Sequence, residues 1–498
     1  MAKKLTRFGF ALALIIGLYA CKGAKNAAST KIENTTSEIT NTTNQRSDAA
    51  PTVEETMTTG EPLPFDPDTR VGKLDNGLTY YIRQNAKPEN FAELRLAVNA
   101  GSLQEDDDQQ GLAHFLEHMC FNGTTNFPKS DLVDYLESIG TKFGAHLNAY
   151  TAFDETVYML KIPTDDAEKF DKGLQILEDW AHNVTLDPEE IEKERGVVIS
   201  EWRTRLGAQD RMQQETLPVI FYGSRYPDRV PIGKTEIIES FTPETLERFY
   251  KDWYRPELMA VVAVGDFDVD QVEAQIKEKF GRIPKSADNV RDRGVYPLKD
   301  HEETKVVIAA DEEFPFNVVQ FMTKHDHVPI KDMEGYRKNV ARNLGMSMLQ
   351  NRLTELTQTS DAPFNAAFSG YGSIQARSTD ALQLGALIAP SGFEKGVKAL
   401  ITEQERAARF GFTESELERT KKSRLASLEK GFKEKDKTES ANIINSYVQN
   451  YLTSSPVMGI GNVLKINQAL LPPAVYRVLA RNHYGQCTPT VYRVLSRN

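Results

Sequence analysis

The sequence predicts an α+β protein built from two tandem units that share one order of strands and helices. Three observations carry this. Between residues 63 and 283, short alternating or apolar runs of strand length are interleaved with longer helical stretches. A polar connector, residues 284–293, follows. From 294 to 470 the series begins again: two strands, a long helix, two strands, two helices. The chain has 498 residues, enough for two or three domains with cores of their own.

Residues 1–20 read as an export signal: Lys3, Lys4 and Arg7 precede an apolar run from Phe8 to Ala20, which is too short for a comfortable membrane span. Leu18-Tyr19-Ala20-Cys21 resembles the lipobox of bacterial lipoproteins, which makes Cys21 a candidate for lipidation and places the protein in a bacterial cell envelope. Residues 21–62 are rich in Ser, Thr, Asn, Glu and Ala. With few large apolar side chains they cannot offset the entropy of ordering, and they read as a flexible tether.

In the first unit, Val71 to Leu74 and Leu78 to Arg83 flank Asp75-Asn76-Gly77, residues that tolerate positive φ, so a hairpin is expected. Glu93 to Gly101 alternates and reads as a strand. A helix from about Gln110 and another over Lys129 to Ile139 come next, then strands at Gly144–Thr151 and Glu155–Ile162, and helices at 165–183 and 187–205.

The helix from Gln110 holds Gly111-Leu112-Ala113-His114-Phe115-Leu116-Glu117-His118-Met119. His114 and His118 are four residues apart, so their imidazoles share one helical face, one turn apart, where two ring nitrogens can grip one metal ion. Glu117 lies beside that face without being placed to ligate. Zinc lowers the pKa of a water it binds to about 7, and a nearby carboxylate can take that proton and pass it to a leaving amine. This is peptide-bond hydrolysis, and the spacing is the H-x-x-E-H of the inverzincins. A pair of helical histidines beside a Glu is the bland alternative.

Helix 187–205 begins with Asp187 as N-cap, Pro188 at the first helical position, and Glu189 and Glu190 in the first turn. Glu194 and Glu201 are two turns apart and point the same way. One can ligate the metal and the other can orient a ligand. On spacing alone, a solvated acidic face is the competing reading.

The second unit has strands near Lys305–Ala309 and Asn317–Met322, a long helix over about 332–359, strands at Ala366–Ser373 and Asp380–Pro390, and helices at 392–409 and 413–432. It lacks both the H-x-x-E-H and the paired glutamates. The tail, 471–498, carries VYRVLARN at 475–482 and again, as VYRVLSRN, at 491–498. It reads as poorly ordered, leaving this unit incomplete at its end.

The net charge is −11, and −14 without the three basic residues of the signal. There is no basic excess to neutralise phosphates, which argues against nucleic acid as a partner. The cysteines are Cys21, Cys120 and Cys487, too few for a disulfide framework.

Gly111 to Gly123 (GLAHFLEHMCFNG), Gly144 to Tyr150 (GAHLNAY) and Glu194 to Glu201 (ERGVVISE), in this order, resemble the insulinase/pitrilysin family of zinc peptidases. The likeness continues through Pro231-Ile232-Gly233 and Trp253-Tyr254-Arg255-Pro256 into a strand at Met259–Asp266. The resemblance implies Zn2+ held by His114, His118 and Glu201, with Glu117 as general base and Glu194 supporting the site. It implies that Gly144–Thr151 is an edge strand to which an extended peptide pairs near Asn148 and Ala149, as in β-augmentation. His146 is read as a packed or hydrogen-bonded histidine. The second unit looks like the family's metal-free repeat, the two repeats together making half of a clam-like shell. No counterpart to Tyr254-Arg255-Pro256 and its strand is seen after residue 450.

The expected function is therefore a zinc-dependent endopeptidase acting on peptides or unfolded polypeptides, membrane-associated only through a lipid anchor. A second subunit or a homodimer would close the chamber. The alternative is a non-catalytic or partner-dependent peptide-binding subunit of the same fold.

Overall fold

The computed structural model describes residues 60–129, 131–142, 144–471 and 490–496. The signal, Cys21, the tether up to residue 59 and the first octamer copy lie outside the described residues. Among the described residues no helix is long and apolar enough to cross a membrane.

The first unit runs β1 (Arg70–Lys73), β2 (Thr79–Gln84), β3 (Phe91–Val98), α1 (Leu112–Asn122), α2 (Asp131–Ser138), β4 (Leu147–Thr151), β5 (Thr156–Pro163), α3 (Ala167–His182), α4 (Pro188–Thr204), α5 (Ala208–Ile220), α6 (Thr235–Ser240), α7 (Pro243–Trp253), β6 (Met259–Gly265) and α8 (Val269–Phe280). Its six strands lie in the order β1-β2-β6-β3-β5-β4. The expected β1–β2 hairpin forms, turned at Gly77 with φ +100. Beside it, Asn76 Nδ2 donates to the carbonyls of Phe280 (2.8 Å) and Ile283 (2.9 Å), tying the turn to the end of α8. β6, buried along its whole length, runs parallel to β2 and antiparallel to β3. Its unbroken apolar run, MAVVAVG, is what a strand covered on both faces requires.

The second unit runs β7 (Val306–Asp311), β8 (Asn317–Asp326), α9 (Met333–Thr357), β9 (Ala366–Ser373), β10 (Thr379–Ile388), α10 (Phe393–Phe410), α11 (Glu414–Lys433), α12 (Ser440–Thr453), α13 (Gly459–Leu470) and β11 (Thr490–Ser496). The sheet order is β7-β11-β8-β10-β9. Residues 491–496 of the second octamer copy, read from sequence as part of a poorly ordered tail, are therefore strand. β11 runs parallel to β7 and antiparallel to β8, as β6 does between β2 and β3. It is the counterpart that the sequence reading finds missing. A strand recruited from about 160 residues away into the middle of a sheet is specified by long-range pairing, and local pattern does not announce it.

The units are interlocked. One face of the first sheet packs on α1, α3 and α8 through Leu94, Leu96, Phe115, Leu160 and Trp180. Its other face, Tyr81, Ala97, Val157, Ala260, Val262 and Val264, is covered by Ile444, Tyr447, Val448 and Leu452 of α12, a helix of the second unit. The Tyr447 hydroxyl donates to Asp66 Oδ2 (2.9 Å) and accepts from Arg83 (3.0 Å), and its ring stacks on Tyr81 at 5.9 Å. Tyr447→Ala should therefore destabilise the catalytic unit by about 3–5 kcal/mol, the usual cost of emptying an aromatic site in a core. Urea unfolding monitored separately in each unit checks this, and a loss confined to residues 294–470 would contradict the interlock.

Within the second unit, Arg352 donates to both carboxylate oxygens of Glu416 (2.5 and 2.9 Å), which also closes a capping box with Thr413 at the start of α11. The Arg352 hydrogen bonds, followed by smaller contributions including those from Thr413, hold the Glu416 carboxyl at about 2, below its ordinary 4.5. A depressed carboxyl stabilises fully above its unfolded pKa, and that contribution is lost as the pH falls toward the folded value. The stability difference between wild type and Arg352→Gln should thus be constant from about pH 6 to 8, shrink below about 4.5, and largely vanish near 2. A difference that stays flat down to about pH 2 would show that the pair contributes nothing.

Candidate metal centre

α1 is pinned at both ends. Gly111 caps it with φ +103, and a Cβ there would meet Gly233 Cα at 2.9 Å, so the backbone of the Pro231-Ile232-Gly233 loop approaches as only glycines allow. The buried Glu105 substitutes for a capping side chain, its Oε1 accepting from Ala113 N at 2.8 Å. Burial pushes its carboxyl up to about 8 despite those amide bonds. At the other end Trp180 Nε1 donates to the Cys120 carbonyl at 2.9 Å. Cys120 itself is buried and free.

α4 starts where the sequence places it, Asp187 Oδ1 accepting from Glu189 N at 2.8 Å. Arg195 fixes its rotation by donating to the carbonyls of Ile238 (2.5 Å) and Phe241 (2.6 Å) while lying 4.0 Å over the Phe241 ring. With α4 so turned, Glu194 and Glu201 both face α1.

His114, His118 and Glu201 come together, one ligand atom from each lying within 4.8 Å of the others. His114 Nε2 and His118 Nε2 are 3.3 Å apart, and Glu201 Oε2 is 3.7 Å from the first and 3.3 Å from the second. Ligands about 2.0–2.1 Å from a tetrahedral zinc ion lie about 3.4 Å from one another. The donor set and its spacing fit that ion. Glu201 Oε1 is occupied by Arg205 Nη2 at 2.5 Å, which leaves Oε2 for the cluster.

Glu194 stands outside the donor set. Its Oε1 accepts from His118 Nδ1 at 2.8 Å, which directs Nε2 at the cluster, and its Oε2 accepts from Asn122 Nδ2 at 2.6 Å. This is the carboxylate–histidine arrangement that orients a metal ligand. Glu117 is buried, with Oε2 accepting from the Thr151 hydroxyl at 2.6 Å.

The electrostatics favour positive charge at the centre. Burial disfavours the charged form of His118, but the hydrogen bonds it donates to Glu194 and Glu201 outweigh it and lift His118 to about 9. Burial likewise acts to raise Glu201, yet His118, His114 and Arg205 bring it down to about 2. His114, whose burial is not offset in this way, falls to about 3, so its ring is neutral and its nitrogen free to ligate. Burial raises Glu117 to about 7, against the pull of the Thr151 hydrogen bond.

β4 lies at the edge of its sheet, pairing among the described strands with β5 alone. It begins at Leu147, so Gly144 to His146 form a turn, not the start of the strand. His146 Nδ1 accepts from Lys142 N at 3.3 Å and takes no part in the metal cluster. Lys161 N bonds the His146 carbonyl and Ala152 N bonds the Glu155 carbonyl. By the alternation of an antiparallel ladder, the main chain of Asn148 then pairs with β5, and that of Ala149 faces the open edge. Asn148 Oδ1 accepts from Ala149 N at 2.9 Å.

Four residues of this arrangement escape sequence reading: Asn122, Thr151, Arg205 and Glu105. Asn122 and Arg205 sit four residues after His118 and Glu201, so helical spacing could have found them. Nothing local marks Thr151 or Glu105.

Residues 80–224 match the family described as Insulinase (Peptidase family M16), and residues 240–424 match its Peptidase M16 inactive domain. The chain belongs to the insulinase family of peptidases. This insulinase-family chain is 34% identical over 82% of its length to a protein of Arabidopsis thaliana named zinc protease PQQL-like, covering 40% of it. It is 28% identical over 84% of its length to the probable zinc protease PqqL of Escherichia coli, covering 45%. It thus spans less than half of either relative. Among solved structures, the first half of the periplasmic protease PqqL from Escherichia coli superposes with a TM-score of 0.82 at 27% identity, over 87% of this chain and 93% of that one. The two tandem repeats predicted from the sequence are the family's catalytic and inactive domains.

Proposed function

We propose that this chain is a zinc-dependent endopeptidase that hydrolyses peptides or unfolded polypeptides in the cell envelope of a bacterium. The observation that carries the reading is the His114–His118–Glu201 donor set with Glu117 at its side, the latter hydrogen-bonded to Thr151 of the edge strand β4. The names of the relatives, zinc proteases and a periplasmic protease, support it.

Zinc, when bound, would supply Lewis acidity, lowering the pKa of water to about 7 and polarising a carbonyl. His114 Nε2, His118 Nε2 and Glu201 Oε2 would hold it. Glu194 keeps Nδ1 of His118 engaged, and Asn122 keeps Glu194 in place. Glu117 has one oxygen tied to Thr151 and the other free to accept a proton and return it to the leaving amine. An extended substrate would add to β4 at Ala149, displacing the Asn148 side chain from the amide it covers. Main-chain pairing of this kind makes little demand on sequence, which suits unfolded substrates. Lipidation at Cys21 would tether the enzyme, and a second subunit or a second copy would enclose the cleft.

The test is hydrolysis of quenched, unstructured peptides by the purified chain, with bound zinc measured in parallel. Cleavage abolished by a chelator and restored by zinc supports the reading. One zinc per chain with no cleavage would favour a partner-dependent peptide-binding subunit, and no zinc would overturn both.

A further inference from the structure

We propose that the second unit positions the substrate-facing strand of the first, with Arg377 as the positioning residue for β4 and, through Thr151, for Glu117. The role given to Glu117 rests on the peptidase reading above.

The turn joining β4 to β5, Ala152 to Glu155, is held from outside its own unit. Arg377, between β9 and β10, donates to Glu155 Oε2 (2.7 Å), to the Asp154 carbonyl (3.2 Å) and to the Asn99 side chain at the end of β3. Arg293 of the connector donates to Asp154 Oδ1 (2.8 Å) and carbonyl (3.0 Å) and to the Asn99 carbonyl (2.6 Å). Both carboxylates are then completed from the first unit, Glu155 Oε1 by the Tyr150 hydroxyl (3.1 Å) and Asp154 Oδ2 by the Tyr226 hydroxyl (2.8 Å). All four charged side chains are at most 18% exposed. In so dry a setting, charge-assisted hydrogen bonds hold position firmly.

Apolar packing adds a second anchor. Phe153, at the centre of the turn, is buried in a cluster that joins Leu217, Phe221 and Tyr226 to Met322, Ile374 and Ala376 of the second unit. One residue before the turn stands Thr151, whose hydroxyl bonds Glu117 at 2.6 Å. The path from Arg377 to the base is therefore short: an ion pair, one β-turn and one hydroxyl. A misplacement of about 1 Å at a reacting group can cost about 100-fold in rate.

The experiment compares wild type, Arg377→Met, Thr151→Val, Thr151→Ser and the Arg377→Met/Thr151→Val double variant in the full chain. It reads kcat, KM, bound zinc, and amide exchange of residues 147–155. Each of Arg377→Met and Thr151→Val should lower kcat about 10- to 100-fold with zinc content unchanged, and Thr151→Ser should restore most of it. The double variant should be no slower than the slower single, because both losses act through one hydroxyl. Arg377→Met should also speed exchange in 147–155 at least about tenfold while leaving 112–122 unchanged. Multiplying losses, an unaltered kcat, or unaltered exchange would each overturn the proposal. Should Arg377→Met not fold, Glu155→Gln removes the charge of the pair at constant shape and carries the same predictions. If wild type cleaves nothing, the peptidase reading falls, and the exchange result alone decides whether Arg377 holds the strand.

Discussion

Replacing Glu117 with Gln should leave one zinc bound per chain and lower kcat by about 10²- to 10⁴-fold, the range that a positioned general acid–base supplies. The carboxylate is not among the three donors that converge, so metal binding does not depend on it. Gln is isosteric and can still accept the Thr151 hydroxyl's hydrogen bond, so the fold around α1 has no reason to change. What is lost is the ability to take a proton. Burial holds this carboxyl near 7 when no dication faces it, and a bound dication would pull it lower. Activity should accordingly rise with pH along an acid limb centred at or below about 7, and the Gln variant should lack that limb. Zinc analysis and steady-state kinetics on the same preparation decide it. Loss of zinc together with activity would make Glu117 a ligand instead, and an unchanged kcat would remove it from the chemistry.

The second large effect separates two glutamates that spacing alone leaves equivalent. Glu194→Gln should weaken zinc binding about 10- to 100-fold, as expected when a carboxylate that orients a ligating histidine is neutralised. Glu201→Gln should weaken it beyond that range, since the variant removes a charged donor whose Oε2 is 3.3 Å from His118 Nε2. Competition titrations against a chelator of known affinity measure both. If Glu194→Gln proves the more damaging, the ligand has been assigned to the wrong turn of α4.

How much of this was legible without coordinates depends on how local each signal is. The H-x-x-E-H pair, the Asp187-Pro188 start of α4 and the two-turn spacing of Glu194 and Glu201 are periodicities within single helices. Helical geometry converts them directly into shared faces. The strands of both sheets other than β11 were readable because their patterns are equally local, with β9 found at its own bounds and others shifted by a residue or a few. The helices from Ala208 to Trp253 were not singled out, nor were α8, α12 and α13. The face that α12 covers belongs to a sheet that begins more than 300 residues earlier, so its burial follows from packing between units and not from its own spacing.

By itself, then, the sequence determined the α+β class and the tandem arrangement, and it singled out the three residues that converge, the carboxylate proposed as base and the edge strand, because each is written in short-range pattern or recognisable motif. Tertiary structure decided what the donors are held by. Which glutamate faces the cluster depends on Arg195 locking the rotation of α4, and Glu117 is steadied by a threonine 34 positions away. The turn beside that threonine is clamped by an arginine more than 220 positions further on. The second sheet is completed by a tail that looked expendable. These contacts join residues with no periodic relation along the chain. Their free energy comes from desolvated pairing and packing that exist only once distant segments have met.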